Sequence, residues 1–246
     1  MRVPYLLLQS RDVTDPVRDL EVAGFAATLG VARDAIGVVD LLARAPRAAE
    51  VAAAGAVLLG GSGNYSVLDP FPWIGRAVAA LRDVVVPSGT PTFASCFGFQ
   101  LLTLALGGTM VRDPANRELG SIDVTRTPEA DRDPLFGPLP PTFVAQAGHT
   151  DRADGTPPGT VVLATTAVGP VQAFRVVGAP VWATQFHPEI DERSFAARWL
   201  AYAEKYPPAD LPRGAAMSDA PFLKTLRPSP HASAILRRFA LLVAGH

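Results

Sequence analysis

One cysteine, Cys96, is the only thiol in a chain of 246 residues. An intrachain disulfide and a cysteine-built metal site are both excluded, and a reducing, cytoplasmic compartment is expected. No apolar run approaches the roughly 20 residues that a membrane helix needs. The opening "MRVPYLLLQS" holds only a brief apolar stretch, too short for a typical signal peptide. Neither charge is in excess. Lys and Arg number 22 against 23 Asp and Glu, a formal net charge of −1, so nothing points to nucleic acid or an anionic membrane as a partner. There is no internal repeat and no Gly-x-x-x-x-Gly-Lys-[Ser/Thr] phosphate loop. No metal and no cofactor is expected.

What the chain does have is apolar material for a sizeable core, 48% of its residues. "VPYLLLQ", "GVVDLL", "AVLLG" and "TPTFAS" are short apolar runs bounded by turn residues and read as buried strands. Between the first two, "DPVRDLEVAGFAATLG" reads as a helix with Asp15 as N-cap, Pro16 at its first position and Gly30 closing it. "PFPWIGRAVAALRDVVV" and Phe97 to Leu106 are further helices. Strand and helix alternate through the first 110 residues, which predicts a mainly parallel sheet with helices on both faces. From about 120 to 190, "SIDVTRT", "TFVAQAGH", "TVVLATTA", "VQAFRVV" and "PVWATQFH" predict added strands, some antiparallel, followed by a helix from about Arg193 to Lys205. Residues 1–205 then form one α/β domain. Residues 206–246 supply a Pro-rich loop and a final helix on the same domain, with Ile235, Leu236, Phe239, Leu242 and Val243 near helical spacing.

"PTFASCFGFQLLTLALGG" puts the cysteine where a strand should hand over to a helix. A lone cysteine among apolar residues is usually a small core hydrophobe. At a sharp strand-to-helix turn, however, the side chain is pushed out at the carboxyl edge of the sheet, where ligands bind. Gly98 gives the turn room, and the helix N-terminus favours a thiolate. Of the four histidines, His187 ends an apolar run, and Glu189 follows after Pro188. Residues two apart in extended chain face the same side. His187 and Glu189 can therefore serve one site, as base and orienter for a nucleophile.

These residues resemble the class I glutamine amidotransferases, whose Cys-x-Gly-x-Gln elbow and later His-Pro-Glu match Cys96-Phe97-Gly98-Phe99-Gln100 and His187-Pro188-Glu189. "LLGGSGNYSV", "LGSIDV" and "GHTD" stand where the family has its oxyanion loop, its substrate-binding segment and its His-x-Asp segment. The likeness covers roughly residues 1 to 200, and the chain resembles a stand-alone form of the glutaminase domain of GMP synthase. It implies a flavodoxin-like, doubly wound sheet and a γ-glutamyl thioester on Cys96, with His187 as base and Glu189 orienting it. It also implies backbone N–H groups of Gly61 and Phe97 as the oxyanion hole. Gln100, Ser121, Ile122, His149 and Asp151 would bind the substrate. The third loop position departs from the pattern, being Ser62 where many relatives have proline. Three readings follow: hydrolysis of a γ-glutamyl amide by the chain alone, a glutaminase subunit supplying ammonia to a separate synthase, and a catalytically silent regulatory module that has kept the fold.

Overall fold

The structure is a computed structural model and describes residues 5–202 and 220–245. Five parallel strands form one half of a nine-stranded sheet: β1 (Tyr5–Gln9), β2 (Ile36–Asp40), β3 (Ala56–Leu59), β4 (Thr92–Ser95) and, from much later in the chain, β11 (Val181–Thr184). Their spatial order is β2-β1-β3-β4-β11, with Tyr5 level with Ile36 and Ala56, and Thr92 level with Val181. Every residue of β1, β3, β4 and β11 is buried, as continuous apolar runs require when helices cover both faces. β2, at the edge, buries Ile36 and Val39 and leaves Val38 exposed.

The other half is antiparallel. It adds β10 (Ala173–Val176), β9 (Thr160–Thr165), β6 (Glu118–Arg126) and β7 (Thr142–His149), while β5 (Met110–Arg112) and β8 (Asp151–Ala153) pair separately. The sheet curls far enough for the His187 N–H, just beyond β11, to donate to the Gln146 carbonyl of β7 at 2.8 Å. That closure carries the end of β7 into the neighbourhood of the β11 terminus. It is a relationship that strand periodicity alone does not reveal.

The helices are α1 (Arg18–Leu29), α2 (Ala48–Ala53), α3 (Pro72–Ala80), α4 (Phe97–Ala105), α5 (Glu192–Ala201) and α6 (Pro230–Ala244). Two boundaries differ from expectation. Asp15 does not cap α1. Its carboxylate accepts the Val17 N–H at 2.8 Å in the turn before the helix and is shared with Arg11 and Tyr202, so the cap position falls to Val17. The helix expected over residues 70–86 is α3 followed by a widened π turn, Leu81–Val85. Gly30 closes α1 at φ +72° as expected. Gly107 (φ +80°) and Gly108 close α4, their N–H groups donating to Leu104 O and Thr103 O, the double bond of a Schellman cap. The predicted Pro-rich loop falls largely outside the described residues. α6 buries Ile235, Leu236 and Phe239, and the Phe239 ring sits 5.5 Å from Phe93 and 6.2 Å from Trp182. Full burial of one such side chain contributes about 1.5–3 kcal/mol.

Candidate active site

β4 delivers the chain to Cys96, and α4 begins at the next residue. Cys96 has φ +51° and ψ −105°, the only positive φ outside glycine among the described residues. Backbone held in such a region costs of order 1–3 kcal/mol and persists where neighbours over-determine it. Three hydrogen bonds do so here: Cys96 N–H to Thr184 O (2.8 Å), Gly98 N–H to Gly60 O (2.9 Å) and Gln100 N–H to Cys96 O (3.1 Å). The elbow is thereby tied to β11 and to the loop after β3. Gly98 is required sterically, because a Cβ there would lie 2.5 Å from Leu59 Cβ and 3.0 Å from its carbonyl oxygen.

His187 faces the sulfur from the end of β11, and its Nδ1 lies 2.7 Å from Glu189 Oε1. Both are buried, Glu189 at 1% exposure. Burial opposes charge on the imidazole, but the Glu189 carboxylate and then the Cys96 sulfur outweigh it and push its pKa up to about 10. Burial likewise opposes charge on Glu189, yet His187, with Arg198 after it, holds the carboxyl well below the usual carboxylate range. Arg198 Nη1 reaches Glu189 Oε1 at 3.2 Å. Sequence reasoning missed Arg198. Its only signal is a cation three positions after Phe195 on the buried face of α5. The elements thus bring Cys96 and His187 to one cavity, with Glu189 behind the imidazole, although 91 positions separate the first two in sequence.

A cavity of about 1110 Å³ opens in front of Cys96 and His187, with Gln100, His149 and Asp151 in its wall. Gln100 Nε2 donates to Asp151 O (3.1 Å) and Gln185 Oε1 (3.4 Å). The Asp151 carboxylate pairs with Arg112 Nε (3.3 Å) and accepts from the Ser66 hydroxyl. His149 Nε2 lies 3.2 Å from Glu118 Oε2, and Glu118 also accepts from Gln172. Ser121 and Ile122 do not line the cavity. The register sets Glu118 opposite His149, so Ser121 lies three residues, roughly 10 Å, back along β6. The Ser121 hydroxyl accepts the Arg227 N–H (2.7 Å) and donates to Gln146 (3.1 Å), while Ile122 packs on the core. Leu119 and Arg117 of the same segment reach the cavity instead.

The loop after β3 also departs from expectation. The Gly61 N–H donates to Glu21 Oε1 at 2.9 Å. Glu21 is fully buried on α1 and also binds Arg11 Nε (2.9 Å) and Gln9 Nε2 (3.1 Å). Nothing in the local sequence "GGSG" signals this, because the acceptor comes from 40 residues earlier. Phe97 N, at the first position of α4, has no protein acceptor among the described residues. Among those residues no cluster of three or more His, Cys, Asp or Glu side chains is arranged to hold a metal ion, and no helix is long and apolar enough to cross a membrane.

A parallel sheet covered on both faces, with a strained residue at a strand–helix elbow, defines a flavodoxin-like α/β protein. The family model of the class-I glutamine amidotransferases matches residues 35–203, and the chain belongs to that family. It is 36% identical over 111 residues to a glutamine-hydrolyzing GMP synthase of Corynebacterium diphtheriae, a match covering 45% of this chain and 20% of that protein. It is 32% identical over 130 residues to a subunit of the glutamine-hydrolyzing GMP synthase of Sulfurisphaera tokodaii, covering 53% of this chain and 65% of that one. A crystal structure of a glutamine amidotransferase from Methylobacillus flagellatus has the same fold, with TM-score 0.71, 20% identity, and coverage of 99% of this chain and 94% of that one.

Proposed function

We propose that the chain cleaves a γ-glutamyl amide through a γ-glutamyl thioester on Cys96. The observation that carries this reading is that Cys96 and His187 face one cavity and act on each other electrostatically, with the Glu189 carboxylate 2.7 Å behind the His187 ring. The sulfur, its proton held on His187, attacks the amide carbon, and the carbonyl electron pair moves to oxygen. On collapse the C–N bond breaks, and nitrogen leaves with the proton from His187. Water then adds to the thioester while giving a proton to His187. The C–S bond breaks, and the γ-carboxyl group of glutamate is released. Glu189 keeps the ring oriented and supports its positive charge, a contribution of roughly 10²–10⁴ in rate for a positioned base.

Two versions of the activity remain distinct. Similarity to one subunit of a GMP synthase supports a glutaminase that feeds ammonia to a separate synthase chain. The size of the cavity, about 1110 Å³, supports γ-glutamyl compounds larger than glutamine as substrates of the chain alone. Turnover of glutamine and a panel of γ-glutamyl amides by the purified protein separates them. Cys96→Ala is expected to abolish all amide cleavage with the circular-dichroism spectrum unchanged. A thiol-directed reagent labels only Cys96, and a bound γ-glutamyl ligand should slow that labelling. Retained turnover in Cys96→Ala refutes the nucleophile, and labelling no faster than in the unfolded chain favours a silent module.

A further inference from the structure

Arg11 follows the carboxyl end of β1 and is 3% exposed, yet it lines the Cys96 cavity. Among the described residues its side-chain polar partners are Glu21, Asp15 and Tyr202. Nε pairs with Glu21 Oε1 (2.9 Å), and Nη1 donates both to Asp15 Oδ2 (3.2 Å) and to the Tyr202 hydroxyl (2.6 Å). Both Nη1 N–H groups are thus used, while Nε faces the Glu21 carboxylate as an ion pair. The two on Nη2 have no protein acceptor among the described residues. Burial works against the charge, but Glu21, Tyr202 and Asp15 together hold the guanidinium even more firmly protonated than usual.

The location of Nη2 follows from Gly61. A methyl carbon built on Gly61 would stand 2.9 Å from His187 Cε1, 3.4 Å from Arg11 Nη2 and 3.8 Å from Cys96 Cβ. One point beside Gly61, too close to the ring for a carbon, is therefore bounded by the base, the guanidinium and the Cβ of the nucleophilic residue. The Gly61 N–H, expected to stabilise an oxyanion there, is instead engaged by Glu21, the same carboxylate that fixes Arg11. Glu21 thus withdraws one donor and positions another.

We propose that Arg11 is a catalytic residue, whose Nη2 N–H groups, together with the Phe97 N–H, bind the oxyanion formed when Cys96 attacks the substrate carbonyl. The proposal rests on the γ-glutamyl thioester reading above. A guanidinium in this place differs from a peptide amide in carrying full charge, which strengthens the hydrogen bond to a developing oxyanion. Glu21, Asp15 and Tyr202 act as positioning residues, since they fix the fork without touching substrate.

The test compares wild type with Arg11→Gln and Arg11→Lys. Three quantities are measured: turnover of the best γ-glutamyl amide, affinity for the γ-aldehyde analogue of glutamate, and affinity for glutamate itself. The aldehyde adds to Cys96 and places an oxyanion-like oxygen in the site. Loss of one oxyanion donor should lower kcat roughly 10²–10³-fold. The aldehyde should weaken in parallel, while KM and glutamate affinity stay within about three-fold. Unchanged kcat, or equal weakening of aldehyde and glutamate, overturns the proposal. Because these variants disturb a buried network, a crystal structure of the wild-type aldehyde adduct gives an independent reading. The adduct oxygen is expected within about 3.2 Å of Nη2, and an oxygen bound by a rotated Gly61 N–H with Nη2 out of reach refutes it. A wild type that neither cleaves γ-glutamyl amides nor takes the aldehyde on Cys96 rejects the thioester reading, and this proposal falls with it. A wild type that does both isolates the outcome to Arg11.

Discussion

Gly98, in the first turn of α4, packs against Leu59 at the end of β3 so closely that a methyl group on it would stand 2.5 Å from the Leu59 Cβ. The obstacle includes the Leu59 carbonyl oxygen at 3.0 Å, which cannot swing aside as the end of a flexible side chain can. Gly98→Ala must therefore push α4 away from β3. Overpacking of this kind costs roughly 1–3 kcal/mol. A lowered Tm together with slower labelling of Cys96 is expected, and an unshifted Tm contradicts it.

Gly61→Ala should behave differently. The new methyl group meets the His187 ring at 2.9 Å, and the ring is held by one hydrogen bond to Glu189 rather than by backbone. The imidazole should give way and leave its line to Cys96. Misplacement by about 1 Å can cost roughly 10² in rate. Steady-state kinetics should show a large fall in kcat, while Tm changes little.

Glu189→Gln preserves shape and removes the charge that supports the imidazolium. Without it the His187 pKa should fall from its raised value, because burial alone pushes it down. A fall in kcat of roughly 10²–10⁴-fold is expected, the range a positioned base supplies. An NMR titration of the ring should report the lower pKa in the same variant, and a ring still titrating near its wild-type value would refute the coupling.

His187 also makes stability depend on alkaline pH. Its folded pKa, pushed up to about 10, exceeds the unfolded value of about 6.5. The folded state therefore binds this proton more tightly. The resulting stabilisation is complete below about pH 6.5, declines as pH rises and is gone above about 10. Urea unfolding of wild type and His187→Gln should show a stability gap that shrinks across this interval. A constant gap would show that the folded ring is not held protonated.

Much of this molecule is legible without coordinates. The runs "YLLLQ", "AVLL" and "TFAS" are strands because they are short, apolar and bounded by turns, and all of their positions are buried. Cys96 sits at an elbow because such a strand runs directly into helix-forming residues, with Gly98 providing the clearance. His187 and Glu189 share a site because alternate residues of extended chain face one side. Ser121 and Ile122 stand away from the cavity wall for an equally specific reason. The segment "LGSIDV" identifies a strand, but the register against β7, which sets Glu118 opposite His149, decides which of its residues reach the cavity.

The sequence by itself determined the order of strands and helices, the strand–helix turn at Cys96 and the pairing of an imidazole with a carboxylate, because each depends on neighbours within a few positions. Only the tertiary structure decided that Arg198 braces Glu189, that Glu21 takes the Gly61 N–H and that Arg11 faces the cysteine. Those choices join residues up to about 190 positions apart, such as Arg11 and Tyr202. Periodicity shows which face of an element is buried. Which buried donor meets which acceptor is set by how the elements dock.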